Sequence, residues 1–264
     1  SLAMYVGIML GMVLTPFLTI RFGIAGMLLI YGIAAVVAAV IFFLAARERP
    51  PTPPCPPDQD ERSRVLDGMK QILRTRDFVL LMAICFVGLG VFNSVTTWIE
   101  DIVRPRGFSI TQAGLIGGLM ILGGIVGALI LPTLSDHFRK RVPVMILALG
   151  GATLGLAGIT FATSYGLLLA SAFALGFFLL AAGPIGFQYG AEVTYPAPEG
   201  TSNGLLLVMG QIAGIVFILA MDLFKSPETG SMSLSLVILI GLMLLGLLLC
   251  TRLRESPMMA GEGD

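Results

Sequence analysis

The chain has 264 residues, of which 56% are apolar and 12% charged, and its formal net charge is zero at pH 7. A mean hydropathy of +0.94 and a charged share about half that of soluble domains exclude a water-soluble fold, and the zero net charge gives no field to recruit nucleic acid. Repeated apolar runs of roughly 20 residues each cross about 30 Å of hydrocarbon as helices, whereas barrel strands would be about 10 residues of alternating polarity. The fold class is therefore all-α, a polytopic transmembrane helix bundle.

Residues 2–20 form the first expected span. It has neither a charged flank before it nor a cleavage site after it, so it reads as a membrane span rather than a signal peptide, in a chain that begins partway through a protein. Residues 21–24 are a tight turn and 25–46 a second span, which makes 1–46 a helical hairpin. Gly7 and Gly11 offer a small-xxx-small face for close helix contact, and Pro16 marks a kink or an end.

From 47 to 76 the chemistry changes, with RERPPTPPCPPDQDERSR supplying a proline-rich spacer and then charges. This is the linker. Within it Val65, Leu66, Met69, Ile72 and Leu73 recur at helical spacing among arginines and a lysine. That pattern fits either an amphipathic helix on the membrane surface or a solvated charged segment. Six further spans are expected at 77–97, 111–131, 143–162, 167–189, 201–223 and 233–250, eight in all, so 77–252 is a second unit and 253–264 a tail.

Basic residues set the orientation. With the linker on the cytoplasmic side, that side holds 12 of the 16 Lys and Arg, leaving Arg21, Arg104, Arg106 and Lys225 opposite. The expectation is a multi-pass cell-membrane protein with linker and C-terminus cytoplasmic. Cys55, Cys85 and Cys250 lie far apart without a CxxC or Cys/His cluster, and His137 is the single histidine. No metal, cofactor or catalytic set is called for, so the chain does not read as an enzyme.

Polar residues inside the apolar runs are scarce, and they concentrate in GPIGFQYGAEVTYPAPEGTSNGLLLVMGQ, residues 183–211. Gly183, Pro184 and Gly186 break one apolar segment, a short loop carries Glu192 and Glu199, and the next segment holds Gln211. An amide in mid-span is costly unless it faces a cavity or a partner, so Gln211 is a pathway residue or a helix–helix hydrogen bond near Gly210 and Gly214. Asn93, with Ser94, Thr96 and Thr97, makes a polar patch toward the outer end of its span, and Trp98 reads as an interface anchor.

The basic loop LSDHFRKR, between the second and third spans after the linker, resembles a loop motif of the major facilitator superfamily, with Asp136 as its acidic member and Arg139, Lys140 and Arg141 as its basic ones. The string AEVTYPAPEGTSNGLL, followed by GQIAGI, resembles the branch related to the feline leukaemia virus subgroup C receptor. That resemblance implies the superfamily's fold, with the eight spans as the fifth to twelfth of twelve, and transport of choline-like or other small organic solutes. In that branch the cavity uses a glutamine of the fifth span, a tyrosine of the seventh and a glutamine of the eleventh. Gln211 matches the last; Tyr5 stands in place of the first, Asn93 in place of the tyrosine, and Gln188 replaces an acidic residue in GFQYGAE. One wall of a cation–π cage is then missing.

The resemblance implies that Tyr5, Asn93, Gln188 and Gln211 line one central cavity. It also implies an inner gate in which Asp136, Arg139 and Arg141 of one loop meet Glu192 and Glu199 of another, with Glu192 paired to Arg139 or Arg141. The expected function is transmembrane passage of a small polar, cationic or zwitterionic organic solute by alternating access. A proton-coupled drug or metabolite exporter and a non-transporting, receptor-like subunit or fragment are the alternatives. The expected partners are the solute and the bilayer, with no nucleic acid and a monomeric full-length form.

Overall fold

The structure is a computed structural model that describes residues 2–46, 69, 72–256 and 258. Among the described residues no strand forms. The helices are α1 (Leu2–Ala45), α2 (Arg76–Val103), α3 (Ile110–Phe138), α4 (Val142–Phe161), α5 (Tyr165–Thr194), α6 (Glu199–Leu223) and α7 (Ser233–Cys250), with a short turn of 3-10 helix at Arg104–Arg106. All seven are long and apolar enough to cross a membrane. The proline-rich linker segment and Cys55 lie outside the described residues, as does most of the amphipathic stretch.

Helix α1 has 44 residues, about 66 Å if straight, which is twice what one crossing needs. It is not straight. Gly23 takes φ 70°, ψ 174° inside it, a left-handed value that glycine adopts without a Cβ clash, and Thr15 Oγ1 lies 2.8 Å from Tyr31 Oη. Sixteen residues along one helix would separate those two by about 24 Å, so the chain doubles back and residues 2–22 and 24–45 are two antiparallel arms. The hairpin and the eight crossings expected from the sequence are thus present. Pro16 does not end the first arm; Gly23 does.

Glycine sets how closely the helices approach, because lipid supplies no hydrophobic drive between them and close backbone packing must replace it. Helices α3 and α5 pack most extensively, and a Cβ on Gly176 or Gly127 would fall 1.7 Å from the Met120 carbonyl oxygen or 1.9 Å from that of Phe177. The first arm of α1 rests on α3, where a Cβ on Gly114 would meet the Met12 carbonyl oxygen at 2.6 Å. Gly7 and Gly11 have open space around them, so the small face at this contact belongs to α3 and not, as expected, to α1.

Helices run past several expected ends. Helix α5 continues through Pro184 to Thr194, so Glu192 is in its last turns and buried rather than in a loop. Asp136 likewise closes α3. After α7 the chain does not enter solvent at once: Leu253 is 7% and Ser256 0% exposed, so the start of the expected tail docks on the bundle.

Candidate functional site

Five helices enclose a cavity of about 160 Å³, below the roughly 300–1,000 Å³ of drug-sized pockets. Tyr5 from α1, Asn93 from α2 and Gln211 from α6 all line it, with Phe92, Phe187 and Met145 among the apolar walls and Cys85 as a thiol. Gln188 does not line it.

Asn93 is held by Nδ2 donating to the Gly210 carbonyl at 3.4 Å. A Cβ on Gly214 would come within 2.8 Å of that nitrogen, so the glycine pair on α6 makes room for the amide. Gln211 and the Tyr5 hydroxyl have no hydrogen-bond partner among the described residues. Gln211 is exposed on the described chain, so its amide is open to water, a solute or another helix.

At the linker end of the bundle Arg141, 4% exposed, gathers charge from three segments. Its Nη2 donates to Glu192 Oε1 at 2.9 Å and its Nε to the same oxygen at 3.3 Å. Nη1 donates to Asp136 Oδ1 and, at 3.3 Å, to Ser135 Oγ. Burial alone would lower the Arg141 pKa, but the hydrogen bonds and charges of Glu192 and Asp136 outweigh it and raise it, so the guanidinium stays charged.

Gln188 belongs here: its Nε2 donates to Glu192 Oε1 at 3.2 Å, one helical turn away. Glu192 Oε2 is buried without a partner. The docked tail adds Glu255, whose Oε1 accepts from the Arg141 backbone N–H at 2.7 Å and caps the start of α4. Tyr189 Oη donates to the Arg254 carbonyl at 2.7 Å and pins the same tail. Arg139 and Glu199 are not brought in. Arg139 ends α3 in the left-handed region at φ 51° with its side chain exposed, and Glu199 is exposed in the first turn of α6.

The opposite end is tied by a second set. Lys225 Nζ lies 2.7 Å from Asp101 Oδ1 and 5.5 Å from the Trp98 ring centroid. Trp98 Nε1 donates to the Ile218 carbonyl at 3.1 Å, joining α2 to α6 rather than only anchoring an interface. Arg106 donates to the carbonyls of Ile159, Thr160 and Ala162, the orphan acceptors at the end of α4.

Sequence reasoning missed Glu255, Lys225 and Arg106. Charged residues flanking spans were read as orientation signals, and nothing local distinguishes a capping or pairing charge from a solvated one. Among the described residues no His, Cys, Asp and Glu cluster is spaced to hold a metal ion.

The described residues form a bundle of membrane-length helices with a cavity between five of them and charged clusters at its ends. The model of the Major Facilitator Superfamily matches residues 1–218, and the chain belongs to that superfamily. It is 32% identical over 234 residues to a protein of unassigned function from Archaeoglobus fulgidus, covering 87% of this chain and 100% of that one. It is 31% identical over 236 residues to solute carrier family 49 member A3 of Xenopus tropicalis, covering 86% of this chain and 48% of that one. It is 30% identical over 239 residues to the choline/ethanolamine transporter FLVCR1 of Mus terricolor, covering 83% and 42%. The chain thus spans about half the length of these two transporters, and within the superfamily it resembles their branch. It is part of a membrane-transport family, not an enzyme.

Proposed function

We propose that the protein moves a small polar, cationic or zwitterionic organic solute across the cell membrane by alternating access, as an uncoupled facilitator. The observation that carries this reading is the meeting of Tyr5, Asn93 and Gln211, from three helices, on one cavity. In this reading they contact the solute, and Gln188 orients Glu192. The Arg141, Asp136 and Glu192 cluster is the core of the inner gate, with Arg139 and Glu199 at its rim. Linker and C-terminus are cytoplasmic, and the full-length form works as a monomer.

Uptake of labelled choline and of labelled ethanolamine into liposomes containing the purified protein tests it. Saturable uptake that Gln211→Leu weakens supports the reading. Uptake no greater than in empty liposomes favours a non-transporting membrane protein, and dependence on a pH gradient favours the proton-coupled exporter.

A further inference from the structure

Between α4 and α5 runs a second hollow that shares no residue with the central cavity. It is an open groove of about 570 Å³, inside the roughly 300–1,000 Å³ range of small-molecule sites. Gly150, Gly151 and Gly155 line it without side chains, and Leu147, Leu154 and Phe178 stand along it. A Cβ on Gly155 would fall 2.5 Å from the Leu175 nitrogen, so the helices touch there, whereas Gly150 has open space where its Cβ would be. Leu147 and Leu154 are both exposed, which makes this an outward, apolar face of the described bundle.

One polar side chain lines the groove. Ser171 is 7% exposed, and its hydroxyl has no hydrogen-bond partner among the described residues. On the neighbouring α4, Thr153 and Thr160 donate theirs to the Leu149 and Leu156 carbonyls, the usual resort of a hydroxyl inside a helix. Gly158 makes room for the Ser171 hydroxyl, since a Cβ there would fall 2.2 Å from Oγ. A buried O–H left unpaired is costly, so an acceptor completes the site.

Helix α5 runs for 30 residues from Tyr165, about 45 Å, the thickness of a bilayer with its headgroup layers, of which about 30 Å is hydrocarbon. Ser171 lies about 9 Å along that axis from Tyr165, at the edge of the hydrocarbon, and the groove continues from there to Phe178 near the midplane. Membrane lipids carry their ester oxygens at that edge. An ester carbonyl accepts and does not donate, which matches the lone hydroxyl, and the apolar groove below it takes the hydrocarbon that follows. The walls are uneven, with bare backbone at Gly150, the Phe178 ring against Gly151 and the projecting Leu147 and Leu154. A flexible chain conforms to such relief better than a rigid fused ring.

We propose that the groove between α4 and α5 is a lipid site that holds one acyl chain of a glycerophospholipid, its ester carbonyl accepting from the Ser171 hydroxyl. The site stands apart from the solute pathway and does not rest on the transport reading.

A phosphatidylcholine with a diazirine in one acyl chain, titrated by mole fraction into detergent micelles that hold the purified protein, tests it. After irradiation the adducts are mapped by peptide mass spectrometry. They should saturate and fall on residues 147–155 and 170–178. Gly150→Leu fills the groove from open space and should abolish the saturable labelling, whereas Gly241→Leu, which also enters open space but on α7, should leave it intact. Ser171→Ala should raise the half-saturating mole fraction about threefold to tenfold. Labelling that rises linearly with mole fraction and ignores Gly150→Leu would be ordinary contact with surrounding lipid, and it overturns the proposal. So does an absence of adducts in the groove, an unchanged half-saturation point in Ser171→Ala, or saturation by a diazirine cholesterol at lower mole fraction than by the phospholipid.

Discussion

The Arg141 guanidinium and the Glu192 carboxylate meet at 2.9 Å with each side chain only 5% exposed, which makes this the most deeply buried ion pair among the described residues. Removing one partner of such a pair strands the other, at about 3–5 kcal/mol. Glu192→Gln keeps a hydrogen-bond acceptor and leaves Asp136 on the guanidinium, so a loss at the lower end of that range is expected in detergent unfolding. On the gate reading, the cavity thiol Cys85 also becomes more reactive from the linker side, and exchanging the two residues partly restores the wild-type pattern. Unchanged labelling in all three proteins would refute the gate.

Gln211→Leu should lower solute affinity without lowering membrane insertion, because the amide it removes holds no helix in place. One neutral hydrogen bond is worth about 0.5–1.5 kcal/mol, so KM should rise roughly threefold to tenfold while the unfolding midpoint stays put. A fall in the midpoint with unchanged KM would assign the residue to packing.

Two glycines separate close contact from helix propensity. Gly176→Ala places a Cβ 1.7 Å from the Met120 carbonyl oxygen, an overpacking that typically costs about 1–3 kcal/mol. Gly241 in α7 has nothing within 4 Å, so Gly241→Ala should be neutral or stabilising by up to about 1 kcal/mol. Thermal unfolding of both variants checks the pair, and equal effects would show that α3 and α5 are not in backbone contact.

Glu255→Ala removes the carboxylate that caps α4. Caps are worth about 0.5–2 kcal/mol, and the loss should appear as faster hydrogen exchange confined to the first turn of α4 and the docked tail. Exchange that is unchanged there would mean the tail is held by Tyr189 and the burial of Leu253 and Ser256 alone.

Chain-wide features were legible because hydrocarbon enforces them. Span number, the hairpin at residues 21–24 and the all-α class follow from apolar length, and Asn93 and Gln211 stood out as polar groups in apolar surroundings, whereas Tyr5 came only from the family resemblance. What failed was local. The family resemblance pointed to a pairing of Glu192 with Arg139 or Arg141, and Arg141, 51 residues away, is the partner; Glu192 still looked like a loop residue because nothing local shows that this pair lets α5 run on. Gln188 was read toward the cavity although position i+4 on its own helix held an acceptor, a short-range pairing that the sequence did contain. Pro184 looked like a break because its missing donor is visible in the sequence, whereas the packing that keeps α5 continuous is not.

The seat of α1 on α3 has a mechanical meaning. Gly114 and Gly118 offer no side chain, and Met12 and Val13 of the first arm lie against that bare strip of backbone. The Val13 side chain fills the hollow that Gly118 leaves, and a Cβ there would fall 2.4 Å from Val13 Cγ2. Bulk at that glycine would act as a wedge that lifts the first arm off α3.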